Sequence, residues 1–404
     1  MFPKGFFAKG IAAGIKKKKD KLDLALFYSS APCAAAGMFT SCVVKAAPVL
    51  VSMKHIKSNS NGIRAVIANA GCANACTGKK GIKDAEFSAE TLSGLLGIKK
   101  DSVLVASTGV IGNFLPMGKI LKGLEKLHLD VLNGKSSEVS AAEAIMTTDT
   151  VKKISSASFM YGGKKITVWG CTKGAGMIHP SLTASGKPHA TMLSFILTDA
   201  SIERPALESS LSEAVENSFN CVSVDGDTST NDTVVLLANG MAGNKKIQKG
   251  SEGYSKFSEA SAKVCLDLAK MMARDGEGAT KLVEVVVKNA KTKADAKKIA
   301  STIATSPLFK TAIFGNDANW GRVLAAAGRA GVNFNPDKTS VLIGKVLVEN
   351  NGMAVDFSES LAKKTLQKKE VKVTLDLNAG SAQSRYYTCD LTFDYIKINA
   401  SYRS

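Results

Sequence analysis

The sequence predicts a mixed α/β (α+β) fold, and three observations carry that prediction. Short apolar runs of strand length alternate with amphipathic helical stretches from one end of the chain to the other. Turn residues separate them, as at Asn350-Asn351-Gly352 and Asn378-Ala379-Gly380. No strand runs into the G-x-G-x-x-G pattern of a dinucleotide-binding unit, so a Rossmann arrangement is not expected. The 404 residues suffice for two or three domains with a substantial core, and neither a low-complexity linker nor a short-period repeat interrupts them.

In chain order, residues 22–55 alternate apolar stretches with small residues and read as strands with turns. Residues 63–70 form a buried strand, and 88–97 a helix with Ser88 as its cap. A second apolar strand follows at 102–108, then helices near 117–128 and 137–147 and a strand at 165–171. The pattern resumes with a strand at 191–197, a helix at 203–218, a strand at 233–238, a long helix at 255–274 and a strand from Lys281 to Val287. Residues 293–312 read as one helix ending near Ser306-Pro307, a small-residue helix runs to Ala330, and 339–398 reads mostly as strands.

Composition narrows the function classes. The formal charge is +18, but the lysines are scattered, as at Lys16 to Lys19, Lys164-Lys165 and Lys363-Lys364, without the interleaved aromatics that stack on bases. This argues against nucleic acid and leaves a basic surface that attracts small acidic substrates. No apolar run is long enough to span a bilayer, and the start, Met-Phe-Pro-Lys-Gly-Phe-Phe, does not read as a secretory signal. Of eight cysteines only Cys72 and Cys76 are close, with no histidine nearby, so buried free thiols are expected and no metal site.

Five stretches invite a chemical reading. In Lys173-Gly174-Ala175-Gly176-Met177-Ile178-His179-Pro180 and the polar loop after it, the chain arrives at Thr191, which opens an apolar run. A hydroxyl between a loop and a buried strand suggests that the chain cuts itself before Thr191 and that the freed threonine becomes a nucleophile. Ser107-Thr108-Gly109 ends a strand and offers a hydroxyl and a glycine N–H at one point, suited to an oxyanion or to a simple strand-to-helix turn. Asn69 to Gly78 suits a polar pocket wall or a tight turn. Glu277, between Gly276 and Gly278, could meet a cationic amine or be a solvated loop acid. Asp225, Asp227 and Asp232 suggest calcium, but Leu236 stands where the EF-hand template needs its glutamate, so a turn held by side-chain-to-backbone bonds is preferred.

These motifs together resemble the ornithine acetyltransferases, also called bifunctional glutamate N-acetyltransferase/amino-acid acetyltransferases, of arginine biosynthesis. The resemblance runs from Pro3-Lys4-Gly5-Phe6 through Ala73-Asn74-Ala75-Cys76-Thr77-Gly78, Ser107-Thr108-Gly109-Val110-Ile111-Gly112 and Lys173-Gly174-Ala175-Gly176-Met177-Ile178. It continues through Ser223 to Asp232, and Gly315-Asn316-Asp317-Ala318-Asn319-Trp320-Gly321-Arg322, to Ile398-Asn399-Ala400. It implies a two-lobed, self-cleaved acyltransferase of the N-terminal-nucleophile type, cut between Ala190 and Thr191 into an α chain (1–190) and a β chain (191–404). Two α and two β fragments would form a heterotetramer. Thr191 would be the nucleophile, Thr108 and Gly109 would stabilise the oxyanion, and Thr147, Lys173, Thr191, Glu277, Asn399 and Ser404 would bind substrate.

Two departures from the family pattern stand out. The stretch between Pro180 and Thr191 is longer than usual, and Thr183 sits near where an ungapped alignment would put the nucleophile; Thr191-Met192-Leu193 with Thr198-Asp199-Ala200 fits the downstream strand better. The final residue is Ser404 where threonine is usual, and the hydroxyl is retained.

The implied reaction takes N-acetylornithine and glutamate, with acetyl-CoA as a possible second acetyl donor and no cofactor or metal. A new terminal amine has an ordinary pKa of about 7.7–8.0, which suits a base at neutral pH. His179 and His189 are therefore not needed as bases. The alternatives are an N-terminal-nucleophile amidohydrolase or aminopeptidase and, further off, a basic binding protein. The expected location is the cytoplasm, or the mitochondrial matrix in a eukaryote.

Overall fold

The computed structural model describes residues 1–18, 20–184 and 192–401. The chain divides into two compact units, Met1–Asn220 with Asp227–Leu268, and Cys221–Gly226 with Ala269–Ser404. Each has its own sheet, as a mixed α/β chain should.

The first unit opens with β1 (Phe6–Ile11) and the long β2 (Leu24–Phe39), paired antiparallel. Residues 47–58 are not strand, as the apolar pattern suggests, but helix α1 (Ala47–Ser58), with Pro48 in its first turn where the missing N–H costs nothing. Then come β3 (Ile63–Cys72), α2 (Gly78–Leu96), β4 (Val103–Val110), α3 (Met117–Leu132) and α4 (Glu138–Ala144), whose start Ser137 caps. Ser88 caps nothing: it lies inside α2, buried, with its hydroxyl on the carbonyl of Asp84. A strand the sequence reading missed, β5 (Lys153–Tyr161), pairs with β6 (Lys164–Lys173). The unit continues with β7 (Leu193–Thr198), α5 (Arg204–Glu216) and β8 (Thr233–Ala238), and α6 (Glu252–Arg274) carries the chain past Leu268 into the second unit.

The first sheet runs β4-β3-β2-β8-β7-β6-β5, with β1 added to β2. β2 does double duty, pairing with β3 through its first half and with β8 through its second. Every residue of β7 and β8 is buried, which explains their mostly apolar composition. Phe27, Trp169 and Phe195 pack there with ring centroids 4.9–6.3 Å apart.

In the second unit β9 (Leu282–Ala290) leads to α7 (Lys293–Ala304) and α8 (Pro307–Gly315). These are two helices where the periodicity reads as one, because Ser306 caps the second and Pro307 starts it. After α9 (Trp320–Gly328) come β10 (Ser340–Ile343), β11 (Val346–Asn350), β12 (Met353–Ala354), α10 (Glu359–Leu366), β13 (Glu370–Asp376), β14 (Ala382–Cys389) and α11 (Phe393–Ala400). The sheet order is β12-β11-β10-β13-β9-β14, and α10 and α11 add two helices to a stretch, 339–398, that reads mostly as strands. All eight cysteines are free; six are buried, while Cys42 is half-buried and Cys76 exposed. Burial pushes the Cys33 and Cys265 thiols up to about 12, so they behave as small hydrophobes.

Candidate active site

β3 and β4 run parallel, with Ala70 opposite Thr108 and Gly71 opposite Gly109, and the ladder breaks its register at Gly71-Cys72. Gly109 sits at φ +127°, and a Cβ there would lie 2.4 Å from the carbonyl carbon of Gly71. Close approach of two main chains therefore requires glycine, and the adjoining Thr108 side chain is almost fully enclosed. Supporting the strand ends, Ser107 donates its hydroxyl to Asn69 Oδ1 at 2.6 Å, and Asn69 Nδ2 donates to the Cys72 carbonyl at 2.8 Å. The small-residue segment 69–78 is a tight turn: Asn74 and Cys76 take left-handed φ, and Asn74 binds the Gly81 carbonyl and the Thr77 hydroxyl.

From the far end of the sheet, β6 brings in Lys173. Its ammonium is buried and donates to Thr108 Oγ1 at 3.3 Å. Beside it, the fully enclosed Asp149 accepts from Lys153 Nζ at 2.6 Å, from the Gly174 N–H at 2.7 Å and from the Thr147 N–H at 2.9 Å. Burial opposes ionisation of this carboxyl, but the ammonium groups of Lys153 and Lys173 and the Gly174 N–H outweigh it, holding the group well below the usual carboxylate range. Thr147 is half-buried at the edge of this cluster. Lys16 also faces it: burial lowers its ammonium's affinity for a proton, against the pull of Asp23 and Asp149.

The segment before β8 joins these two parts. Asn231 Nδ2 donates to the carbonyls of Ala73 (2.6 Å) and Ser107 (2.8 Å). Its neighbour Asp232 accepts the Met192 N–H on Oδ1. Met192 in turn gives its carbonyl to Thr233 at 2.9 Å, and Leu193 stands opposite Lys173 in the β6–β7 ladder. Two consecutive residues thus tie the end of β4 to the start of β7, although β3, β2 and β8 lie between those strands in the sheet. As expected, the preceding segments are held by side-chain-to-backbone bonds, Ser223 Oγ to Gly226 N–H and Ser229 Oγ to Asn231 N–H.

In the second unit Glu277 is buried rather than solvated, and accepts from Asn399 Nδ2 at 2.8 Å. Gly278, at φ +70°, brings the chain against α11, where Thr392 donates its hydroxyl to the Gly278 carbonyl at 2.7 Å. A Cβ at Gly278 would come within 2.6 Å of the Tyr395 nitrogen.

Of the residues singled out in the sequence, Thr108, Gly109, Thr147 and Lys173 converge within the first unit, and Glu277 and Asn399 pair within the second. Ala190, Thr191, His189 and Ser404 lie outside the described residues. Thr183 is described: its N–H and carbonyl both bond to Phe39 as an isolated bridge. Sequence reasoning missed Lys16, Lys153 and Asn231, and read Asp232 only as a turn residue. An Asn-Asp pair followed by Thr233 and five apolar residues is the signal that marks Asn231 and Asp232.

Residues 7–404 match the model of the ArgJ family. The "Arginine biosynthesis bifunctional protein ArgJ" of Thermotoga neapolitana is 48% identical over 406 aligned residues, covering 100% of this chain and 99% of that protein. The protein of the same name from Caldanaerobacter subterraneus is likewise 48% identical, over 100% and 98% of the two chains. Among solved structures, that of arginine biosynthesis bifunctional protein ArgJ from Bacillus halodurans is 43% identical, with a TM-score of 0.51, covering 52% of this chain and 99% of its own. With the family model and full-length relatives agreeing from end to end, the chain belongs to the ArgJ family.

Proposed function

We propose that the chain is an acyltransferase of arginine biosynthesis that moves the acetyl group of N2-acetyl-L-ornithine to L-glutamate, giving L-ornithine and N-acetylglutamate. The precursor cuts itself between Ala190 and Thr191, and the α fragment (1–190) and β fragment (191–404) stay together, two of each per assembly. The observation that carries the reading is the clasp made by Asn231 and Asp232. One holds the carbonyl next to Thr108 and the other the amide next to Thr191, which supports reading the oxyanion donors and the nucleophile as parts of one constellation. The Bacillus halodurans chain, matched over nearly all its length by half of this one, supports a mature protein in two pieces. The double bridge of Thr183 to Phe39 favours Thr191 over Thr183, since scission at Thr183 would act on main chain already engaged with β2.

The chemistry follows from the residues. The freed α-amine of Thr191 takes the proton of its own hydroxyl as the oxygen attacks the acetyl carbonyl. Lys173 donates to Thr108 Oγ1, which leaves the Thr108 hydrogen available for the oxyanion, alongside the Gly109 N–H. The tetrahedral intermediate collapses to acetyl-Thr191, and ornithine leaves with the proton. Glutamate's amine then attacks the ester and gives up a proton to the α-amine, which passes it to the departing Thr191 oxygen. Thr147, Asn399 and Ser404 position the substrate. Lys173 pairs with a substrate carboxylate and Glu277 with an ammonium group. Acetyl-CoA is a second possible donor to glutamate, and the cytoplasm is the expected compartment.

The test uses the full chain. On denaturing gels the purified protein runs as two bands, and Thr191→Ala runs as one and is inactive. Incubated with N-acetylornithine and glutamate, the enzyme yields N-acetylglutamate. Release of free acetate instead would point to an amidohydrolase, and normal turnover by Thr191→Ala would move the nucleophile elsewhere.

A further inference from the structure

Lys16 lies in the loop between β1 and β2, and that loop is built around the buried side chain of Asp23. Asp23 Oδ1 accepts the Ala13 N–H at 2.7 Å, and Oδ2 accepts those of Ile15 (2.6 Å) and Lys16 (2.9 Å). The Asp23 carbonyl takes the Ala70 N–H at 2.9 Å, which fastens the loop to the end of β3. There Gly71 sits at φ +108°, and a Cβ on it would meet Lys16 Cγ at 3.2 Å and the Lys16 nitrogen at 3.4 Å. The stem of Lys16 therefore rests on the glycine that stands opposite Gly109. Two lysines, Lys16 from this loop and Lys173 from β6, are thus brought to the ends of β3 and β4.

The Lys16 side chain is half-buried, and its charge is poorly compensated. Nζ donates to the Leu22 carbonyl at 2.6 Å, which occupies one of its three hydrogens. Among the described residues no carboxylate stands within ion-pair distance of it: Asp23 is engaged by main-chain N–H groups, and Asp149 by Lys153, Gly174 and Thr147. Burial lowers the ammonium's affinity for a proton. Asp23 and Asp149 oppose that from further off, while Lys21 and Lys173 add to it. A cation placed in this way gains most from an anion that arrives from solvent.

We propose that Lys16 is a specificity-determining residue that receives the side-chain carboxylate of glutamate, the acetyl acceptor. The inference rests on the proposed acetyl transfer and extends it. Glutamate and N-acetylornithine share an α-carboxylate and differ at the far end, where one carries a second carboxylate and the other an ammonium. With Lys173 taking one carboxylate, a dicarboxylate calls for a second cation, and Lys16 supplies it. The same charge has nothing to offer the ammonium of N-acetylornithine, so Lys16 acts on one half of the reaction only.

Lys16→Met keeps a stem against Gly71 and removes the charge. In a ping-pong reaction each kcat/KM reports its own half-reaction, so the two substrates are read separately. The kcat/KM for glutamate falls about 10–100-fold, the effect of losing a charge-assisted hydrogen bond, and that for N-acetylornithine stays within about twofold. Glutamine, a poorer acceptor with an uncharged side chain, is equally unaffected, so the preference for glutamate over glutamine shrinks by the same factor. Lys16→Gln keeps a donor for the Leu22 carbonyl and gives the same pattern should methionine unsettle the loop. An unchanged kcat/KM for glutamate overturns the proposal. An equal loss for glutamate and glutamine does so too, since it would assign the cation to the shared α-carboxylate. So does an equal loss for glutamate and N-acetylornithine, or a failure of both variants to fold, either of which would make Lys16 a support of the loop. If the unsubstituted enzyme forms no N-acetylglutamate from the two substrates, the acetyl-transfer reading fails first, and the two failures remain distinct.

Discussion

Asn231 donates its side-chain amide to the main-chain carbonyl of Ser107 at 2.8 Å, across 124 positions of sequence. The same amide reaches the Ala73 carbonyl at 2.6 Å. One side chain therefore sets the distance between the turn after β3 and the end of β4. Asn231→Ala withdraws both donated hydrogens from buried oxygens, at a cost of about 1–3 kcal/mol. The expected outcome is a lower thermal midpoint together with reduced kcat, read from calorimetry and acetyl-transfer rates on the same preparation.

Thr108→Val keeps the shape of a buried side chain and deletes its hydroxyl. If that hydroxyl faces the oxyanion, kcat falls by about 10²–10³-fold. KM changes far less, because the contact forms fully only in the transition state. Steady-state kinetics against N-acetylornithine separates the two parameters, and an unchanged kcat would remove Thr108 from the oxyanion site.

Asp149 ties acid stability to the same cluster. Its folded-state carboxyl is held below the unfolded value, so its contribution is complete above the unfolded pKa of about 3.9 and is lost as pH falls through the folded one. Wild-type protein should keep this contribution from neutral pH to about pH 4 and surrender it below. Asp149→Asn leaves Lys153 buried without a countercharge and costs about 3–5 kcal/mol at neutral pH. Urea midpoints measured from pH 7 to pH 3 should show the variant destabilised at the top of the range and closer to wild type at the bottom.

Glu277→Gln retains an oxygen for Asn399 and removes the charge. A charge-assisted hydrogen bond to an ammonium is worth about 1.5–3 kcal/mol, so KM for N-acetylornithine should rise about ten- to a hundredfold. The thermal midpoint should move little. A KM unchanged within twofold would free Glu277 from any role in binding.

Much of this was legible in the sequence wherever burial dictated composition. β7 and β8 announce themselves because both of their faces are covered, so each is dominated by apolar residues, with only Ser194, Thr198 and Thr233 as buried hydroxyls among them. α1 was misread because Ala47-Pro48-Val49-Leu50-Val51 is apolar at successive positions, and a short run of that kind has no period to tell helix from strand. β5 was missed because it is an edge strand with a single fully buried residue, Lys153, and so carries no buried apolar run. The start of α2 was missed because Gly78-Lys79-Lys80-Gly81 carries no helical signal of its own. In the site, Thr108, Gly109 and Lys173 were expected from the family resemblance, and the structure brings the Lys173 ammonium to Thr108 Oγ1. Asp232 was read only as a turn acid, because an acid in a Ser/Thr/Asp-rich turn looks like its neighbours until the strands place it against Met192.

The register of β6 against β7 runs through six consecutive pairs, from Val168–Thr198 to Lys173–Leu193, and those strands fall on opposite sides of the Ala190-Thr191 bond. β2 and β8 are divided in the same way. In the uncut chain, the encounter between these partners is unimolecular, with the effective concentration set by the tether. If the chain is cut there, as proposed above, the ladders can persist without the tether, and reassembly from the denatured state becomes a second-order event. On that reading the intact precursor is a single-use template for a two-chain product that could no longer readily rebuild its own sheet.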